Sequence, residues 1–272
     1  MYILIFVFIF LLGTIIGSFL NVVIYRFNTG LPIVSGRSMC MTCSHKLSWY
    51  ELIPLVSYLF LSGKCSKCKS AISKQYFIVE LTTGLMFVLV ALHFLEALFV
   101  SNTLYIFLIT IFAFIFSLLI VISVYDFRHK NIPDKLVFVF IVVCFLSIFI
   151  NYQTANPLFI LPSFTNLLAG PILALPFALL WLLSKGKWMG LGDAKLMLGI
   201  GWMLGMSLGL ASIILSFWIG AVVSLLIILF NKKRKIGLKA EIPFAPFLAI
   251  GAFIVFLFSI NIFSLSKLFI FN

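Results

Sequence analysis

Long apolar runs, separated by short polar segments, recur along nearly the whole chain. The runs approach or exceed the roughly 20 residues that a helix needs to cross the hydrocarbon core of a bilayer. Their blocks of Phe, Leu, Ile and Val lack the alternation that is typical of a transmembrane β-strand. The pattern therefore predicts an all-α, polytopic membrane helical bundle with about eight transmembrane helices. The predicted spans lie near residues 3–25, 76–99, 104–125, 136–151, 166–184, 194–208, 209–230 and 243–264.

Two of these spans differ from the others. The first, 3–25, has no basic region before its apolar core and no small-residue cleavage site after it. We therefore predict a retained span and not a secretory signal. The sixth, 194–208, is short and rich in glycine, which is typical of helices that approach one another closely. Whether this sixth helix crosses the bilayer fully is left open by the sequence.

Composition agrees with a membrane protein, because 64% of the 272 residues are hydrophobic and only 10% are charged. The net charge of +12 would also suit a nucleic-acid-binding protein, but in a membrane protein the placement of basic residues matters more than their sum. Four connections, 26–75, 126–135, 184–195 and 231–239, carry 18 of the 19 Lys and Arg residues. The positive-inside rule puts these connections in the cytoplasm and both termini outside. No nucleic-acid partner is expected.

The longest polar connection, 26–75, contains two C-x2-C pairs. Their cysteines are Cys40, Cys43, Cys65 and Cys68. Two such knuckles at this separation fit a tetrahedral four-thiolate zinc site, and the metal would supply much of the folding energy of a segment with so little core. Disulfides and unliganded thiols are the alternatives, and a reducing cytoplasm disfavours disulfides. We predict a small cytoplasmic loop with structural zinc. The fifth cysteine, Cys144, lies in an apolar span and is interpreted as a packing residue.

Acidic residues are scarce in this chain. They are Glu51, Glu80, Glu96, Asp126, Asp134, Asp193 and Glu241. Asp126 ends the third predicted span and Asp193 begins the sixth, both on the cytoplasmic side. Two carboxyl groups that meet in a poorly hydrated site share a proton, so that one draws a proton from water while the other polarises a carbonyl, as in an aspartic protease. Helix capping by Asp193, and by Asp134 after Pro133, is the alternative that spacing leaves open.

Two glycines, Gly190 and Gly192, lie directly before Asp193. Glycine adopts backbone angles that are closed to other residues. We expect such angles here, together with room for a substrate strand beside the Asp193 carboxylate.

A series of motifs from residue 17 to residue 195 carries a family resemblance. The series consists of GSFLNVV at 17–23 with Tyr25-Arg26, the cysteine pairs, Ile53-Pro54 with Ser57-Tyr58, Gly63-Lys64-Cys65, Ile72-Ser73 with Tyr76, Glu80-Leu81 with Gly84, Asp126 with Pro133-Asp134, and GLGD at 190–193. In this order the motifs resemble the type IV prepilin peptidases, bacterial membrane aspartic proteases that remove prepilin leader peptides. Many members also methylate the new N-terminus.

The resemblance implies roles for particular residues. Asp126 and Asp193 match the catalytic aspartates of the family, and Asp134 matches a residue that orders the loop or caps the next helix. The chain departs from the family pattern at Asn28 and at Met41-Thr42, where members often have proline. Both departures lie in loops and leave the aspartates and the cysteines unchanged.

The methyl donor implied by the resemblance is S-adenosylmethionine, bound near the first loop and the second span. Glu80 and Gly84 belong to the matching motif. The alternative for Glu80 is an interfacial carboxylate paired with Lys74 or Arg26, and Asn21 can equally be a helix-packing amide. The implied organisation is a methyltransferase region at 1–99, containing the loop 26–75, and a peptidase core at 100–272.

The resulting hypothesis is an enzyme of the bacterial cytoplasmic membrane with its main loop and aspartates on the cytoplasmic side. It would cleave the basic leader of prepilin or pseudopilin substrates and methylate the new N-terminal residue. Whether the client serves pili, protein secretion or competence is not specified by the sequence. A peptidase without methyl transfer is one alternative, which the complete first loop argues against. An ion-coupled transporter is another, which explains the aspartates but not the remaining motifs.

Overall fold

The computed structural model describes residues 2–150, 159–230 and 243–260, and over these ranges it is built from helices. They are α1 (Tyr2–Arg26), α2 (Val56–Phe60), α3 (Lys74–His93), α4 (Leu95–Val100), α5 (Asn102–His129), α6 (Asp134–Ser147), α7 (Phe164–Ser184), α8 (Leu191–Phe230) and α9 (Ala245–Phe258), with a 3-10 helix at Trp49–Leu52. No β-strand forms among the described residues, which contain only isolated bridges. The all-α prediction is confirmed. Helices satisfy their own backbone hydrogen bonds, as apolar surroundings require.

Every predicted span overlaps a helix, although their lengths differ. Among the described residues, five helices, with the broken α8 counted as one, are long and apolar enough to cross a membrane. These five are Ile3–Arg26, Lys74–His93, Asn102–His129, Phe164–Ser184 and Leu191–Phe230. The helices α6 and α9 have 14 residues each, or about 21 Å, against a hydrocarbon core of about 30 Å. The chain is thus a multi-pass membrane protein, and the count of eight crossings stays a prediction.

Some predicted segments fall outside the described residues. The basic connection 231–239 lies wholly outside, and the connection 151–165 lies partly outside. The end of the last predicted span, beyond residue 260, is also outside, together with Lys267.

The helix α8 reverses direction at Gly205. This residue has φ 77° and ψ −179°, which no helical residue adopts. A Cβ added at Gly209 would lie 3.8 Å from the Cα atom of Gly201, whereas eight residues of unbroken helix rise about 12 Å. The two halves of α8 therefore form a hairpin. This agrees with separate sixth and seventh helices, with the reversal slightly earlier than the boundary predicted at 208.

Contacts with α7 give the hairpin its directions. Before the reversal, Gly201 lies against Gly170 and Trp202 Nε1 donates to the carbonyl of Leu167 at 2.9 Å, so this half runs antiparallel to α7. After the reversal, the ring of Phe217 lies 6.2 Å from the ring of Phe177, so contacts move toward the C-terminal ends of both helices. The second half is therefore parallel to α7. A side chain at Gly205 would have to accept a left-handed φ, which glycine tolerates best.

The chain divides into two units, Met1–Phe99 and Val100–Asn272. In the first unit, α1 crosses α3 with almost no space between the backbones. A Cβ added at Gly13 would lie 2.9 Å from the Cα atom of Gly84, and one at Gly17 would lie 2.8 Å from the Cα atom of Glu80. Small residues at these positions allow the close crossing. The assignment of methyl transfer to the first unit and cleavage to the second stays a prediction.

In the second unit, α5 packs along α9. The rings of Phe112 and Phe116 each lie 5.0 Å from the ring of Phe256. The first half of α8 packs against α6, where Gly199 faces Phe140, and Phe140 is fully buried. This packing brings the end of α5, the start of α8 and the start of α9 to one place.

Candidate active site and metal centre

Asp126 and Asp193 come together in the second unit. Asp126 lies in the last turn of α5 and is 5% exposed, while Asp193 lies in the first turn of α8 and is 7% exposed. Each is within range of the other's charge. The Oδ1 atom of Asp193 has no hydrogen-bond partner among the described residues. Two buried carboxyl groups within electrostatic range of each other resist simultaneous ionisation, so one can stay protonated beside the charged other.

The start of α9 supplies a hydrogen bond to this pair that the sequence analysis missed. The backbone N–H of Ala245 donates to Asp126 Oδ2 at 3.4 Å, and the Ser123 hydroxyl donates to the Ala245 carbonyl at 3.5 Å. The first N–H groups of a helix lack intrahelical acceptors and favour negative charge. The signal in the sequence was Pro246, because proline near the first helical position is typical of a helix start.

An aromatic cluster fixes the position of that helix start. The Phe244 ring, at the N-cap of α9, lies 5.0 Å from the Phe217 ring and 6.4 Å from the Phe177 ring. Aromatic pairs at such distances add to the burial energy of their rings. The donor on Ala245 is therefore held by contacts with both α7 and α8.

The glycines before Asp193 differ from the expectation. Neither Gly190 nor Gly192 has a positive φ, so the prediction of backbone angles closed to other residues is wrong. A Cβ added at Gly192 would lie 2.7 Å from the Cβ atom of Ile132, so this glycine permits close packing of the start of α8 against the loop before α6. A Cβ at Gly190 would lie 3.8 Å from Asp193 Oδ2, an ordinary contact that would partly cover the carboxylate. Only Gly190 leaves space at the site.

Asp134 lies beside the pair and pairs with a lysine. Its Oδ1 atom is 2.6 Å from Lys195 Nζ, and this joins the first residue of α6 to the first turn of α8. Pro133 occupies the N-cap position of α6, so Asp134 is not the cap. The carboxylate is 75% exposed, and exposed pairs contribute about 0–1 kcal/mol. Its geometry is that of a loop-ordering contact.

The four loop cysteines gather at one point in the first unit. Their sulfur atoms all lie within 4.8 Å of one another, with 3.8 Å between Cys40 and Cys68 and 4.0 Å between Cys43 and Cys65. Tetrahedral Zn–S bonds of about 2.3 Å place sulfur atoms about 3.8 Å apart. The donor set therefore fits one thiophilic ion.

The loop thiols also differ in acidity. Backbone N–H groups of Cys43 and Thr42 lower the pKa of Cys40 to about 5, and the Ser70 hydroxyl lowers the pKa of Cys68. The His45 N–H lowers the pKa of Cys43, but desolvation and the neighbouring thiols outweigh it and raise this pKa to about 11. Thiolates are the ligand form, so metal binding would release the protons that remain.

Glu51 connects the two cysteine knuckles, a role that the sequence analysis did not assign. Its side chain is 2% exposed, and Oε2 accepts a hydrogen bond from the Ser48 N–H at 2.7 Å and lies 3.4 Å from His45 Nε2. The Ser66 hydroxyl, beside the same carboxyl, lowers the Glu51 pKa together with the Ser48 N–H. His45 follows the first cysteine pair and Ser66 lies inside the second. The buried carboxylate thus contacts the end of the first knuckle and lies near Ser66 of the second.

We expect Glu51→Gln to weaken zinc binding about 10- to 100-fold, the usual effect of losing a group that orients metal ligands. The amide keeps the size of the side chain but loses the negative charge that faces His45 and Ser66. Competition with a chromogenic chelator measures the affinity. Glu96→Gln, which changes an exposed carboxylate in α4, is the matched control. An unchanged affinity in Glu51→Gln would show that the knuckles are held without this carboxylate.

The residues implied for the methyl donor lie where α1 meets α3. Glu80 is 7% exposed, and its Oε2 accepts a hydrogen bond from the Leu55 N–H at 2.8 Å, with the Ser18 hydroxyl close by. This differs from the alternative in which Arg26 is the partner, because Arg26 donates to backbone carbonyls. A Cβ added at Gly84 would lie 2.7 Å from Thr14 Cγ2, so Gly84 serves helix packing and leaves no room for a ligand.

Asn21 is a packing amide with one free acceptor. Its Nδ2 atom donates to the Gly17 carbonyl at 3.4 Å and to the Tyr76 carbonyl at 3.1 Å, so it links α1 to α3. The residue is 0% exposed, and Oδ1 has no partner among the described residues. An unpaired buried acceptor is costly unless a donor satisfies it.

Two family models match this chain. The bacterial Peptidase A24 N-terminal domain matches residues 11–94, and the type IV leader peptidase family matches residues 113–225. The first match contains the four cysteines and Glu80, while the second contains both buried aspartates.

The chain is also similar to curated proteins named prepilin leader peptidase/N-methyltransferase. It is 33% identical to the one from Pseudomonas aeruginosa, over 91% of this chain and 88% of the relative. It is 31% identical to the one from Bacillus subtilis, over 94% and 95%, and 32% identical to the one from Vibrio cholerae, over 93% and 96%. No solved structure matches the chain.

Proposed function

Because the chain belongs to the type IV leader peptidase family, we propose that it cleaves the leader of prepilin-like proteins and N-methylates the new N-terminal residue. The observation that carries the catalytic part is the pairing of Asp126 with Asp193. These carboxylates come from helices far apart in sequence, and both are buried. Burial of two acidic groups together in a membrane protein is energetically costly, so such a pair indicates a functional site.

The proposed cleavage uses this pair as a general acid and base. One carboxyl group takes a proton from water, and the other, protonated, donates a hydrogen bond to the carbonyl of the scissile peptide bond. The Ala245 N–H donates to Oδ2 of Asp126. The buried Oδ1 of Asp193 has no partner among the described residues, so we assign this oxygen to the water or the substrate. The proton returns to the amine that leaves as the peptide bond breaks.

The proposed methyl transfer belongs to the first unit. S-adenosylmethionine, when bound, supplies an electrophilic methyl group for the new α-amine. The free Oδ1 of buried Asn21 and the carboxylate of Glu80 are acceptors that suit the ammonium and amino groups of this donor. Gly84 does not fit such a role, because Thr14 and Phe10 fill the space beside it. Zinc at the four cysteines would hold the loop next to these residues.

The proposed location is the bacterial cytoplasmic membrane, with the loop and the aspartates on the cytoplasmic side. This orientation rests on the concentration of Lys and Arg in alternate connections. A prepilin or pseudopilin keeps a short basic leader ahead of an apolar helix, so its scissile bond would reach an active site at this membrane edge.

The function is tested with purified full-length chain in lipid vesicles, a synthetic prepilin and S-adenosylmethionine. Mass spectrometry is expected to show loss of the leader and gain of one methyl group on the new N-terminus. Cleavage without methylation would support a peptidase alone. Absence of cleavage combined with ion flux through the vesicles would instead support the transporter.

A further inference from the structure

The loop between α1 and α3 presents an apolar face that the rest of its own unit, Met1–Phe99, leaves exposed. In α2, the side chains of Val56, Leu59 and Phe60 are 44%, 64% and 86% exposed. Positions i, i+3 and i+4 share one side of a helix, so these three form a single stripe, which we call the α2 face. Large exposed apolar patches are uncommon in water and mark contact with another apolar surface.

Two contacts place α2 beside the first two turns of α3. The Leu55 N–H, directly before α2, donates to Glu80 Oε2 at 2.8 Å. The ring of Tyr58, on the other side of α2, lies 5.5 Å from the ring of Phe77. Glu80 lies about 9 Å along α3 from its first residue, Lys74. The loop therefore turns back along the first two turns of α3 before it returns to the cysteines.

This depth matters because α3 is long and apolar enough to cross a membrane. A short helix level with the first turns of a spanning helix lies at the boundary between the headgroups and the acyl chains. Amphipathic helices at membrane surfaces bury their apolar sides about 5–10 Å into that boundary. Tyr58, on the opposite side of α2, contacts Phe77 of α3, so the α2 face points away from α3.

The residues around α2 have the chemistry of a lipid interface. Trp49 and Tyr50 are 77% and 55% exposed, and these two residue types are enriched where membrane meets water. Four exposed lysines accompany them in the loop, namely Lys46, Lys64, Lys67 and Lys69. Clustered lysines attract anionic lipid headgroups. They would repel the basic leader of a prepilin, so the charge favours lipid over substrate as the occupant.

We propose that the α2 face, Val56, Leu59 and Phe60, is an interfacial anchor that lies in the acyl boundary of an anionic lipid bilayer. The neighbouring lysines contact the headgroups, and Trp49 and Tyr50 lie between the two layers. The anchor keeps the metal-binding loop at a constant height beside the membrane, tied to α3 through Leu55 and Glu80.

The test places a tryptophan on the α2 face of the full-length chain. Phe60→Trp and wild type are reconstituted in vesicles of phosphatidylcholine and phosphatidylglycerol, with or without lipids brominated at upper acyl carbons. The fluorescence of the introduced tryptophan is obtained as the difference between the Phe60→Trp and wild-type spectra. We expect this fluorescence to be blue-shifted and shielded from aqueous iodide. The brominated lipids should quench it by roughly half or more. Lys67→Trp, at the proposed headgroup level, is the control and is expected to respond mainly to iodide.

Two results would overturn the anchor. Quenching of the added emission by iodide alone would place the α2 face in water. Resistance to both quenchers would mean that protein covers it. Zinc content equal to wild type verifies that the loop is intact, and Leu59→Trp repeats the measurement at a second position on the same face if Phe60→Trp loses metal.

Discussion

Asp126→Asn and Asp193→Asn are each expected to lower the rate of prepilin cleavage by at least about a hundredfold, the contribution of a positioned general acid or base. The amide has the size of the carboxylate and can still accept the Ala245 N–H, so the helices should pack as before. It cannot exchange the proton that the proposed mechanism needs. Cleavage of a synthetic prepilin by purified protein in vesicles measures the effect.

Glu96→Gln is the matched control for this pair, because it makes the same chemical change at an exposed carboxylate of the first unit. It should cleave at the rate of wild type. Circular dichroism of each variant verifies that the helices remain. Full activity in either aspartate variant would remove that residue from the catalytic pair.

Replacement of one loop cysteine by serine is expected to lower zinc affinity by more than the roughly 10- to 100-fold loss from an outer residue such as Glu51, because a ligand itself is removed. Cys65→Ser is the most informative variant, since Cys65 is 3% exposed and lies inside the second knuckle. The loop should become sensitive to protease, because a bound metal would supply much of its folding energy. Methyl transfer should fall more than cleavage, as both aspartates belong to the second unit.

Cys144→Ala is the control for the cysteine variants, because it removes a buried thiol from α6 without touching the loop. It should bind as much zinc as wild type. Metal analysis, cleavage and methylation are measured on the same preparations. Metal-free wild-type protein with both activities intact would refute the zinc assignment, and equal loss of both activities in Cys65→Ser would show that the loop also supports the cleavage site.

Part of the candidate site could be anticipated because its signal is local. The C-x2-C spacing forces both sulfurs of a knuckle toward one point, and the four sulfurs do lie together. The helix boundaries around Asp126 and Asp193 placed both carboxylates near helix ends. The expectation that they meet rested on the positive-inside rule and on the family resemblance, since neither residue carries information about its distant partner.

Other parts depended on contacts that no local pattern encodes. Gly192 has no positive φ, and its small size is needed because Ile132, from the loop before α6, packs against it. Gly84 matched a methyltransferase motif, yet side chains of α1 fill the space beside it. In both cases the glycine marked a position that matters. The need for a small residue there comes from a contact with a neighbour remote in sequence.

The amino-acid sequence by itself determined that this is a helical membrane protein with a loop whose four cysteines can hold a metal ion, because hydrophobic periodicity and ligand spacing act over a few residues. Only the tertiary structure decided the reversal at Gly205, the hydrogen bond from Ala245 to Asp126 and the burial of Glu51 beside His45. The Asp126–Ala245 contact joins residues 119 positions apart. Such contacts follow from how whole helices pack, a property of side-chain shapes across the bundle that no single stretch of chain contains.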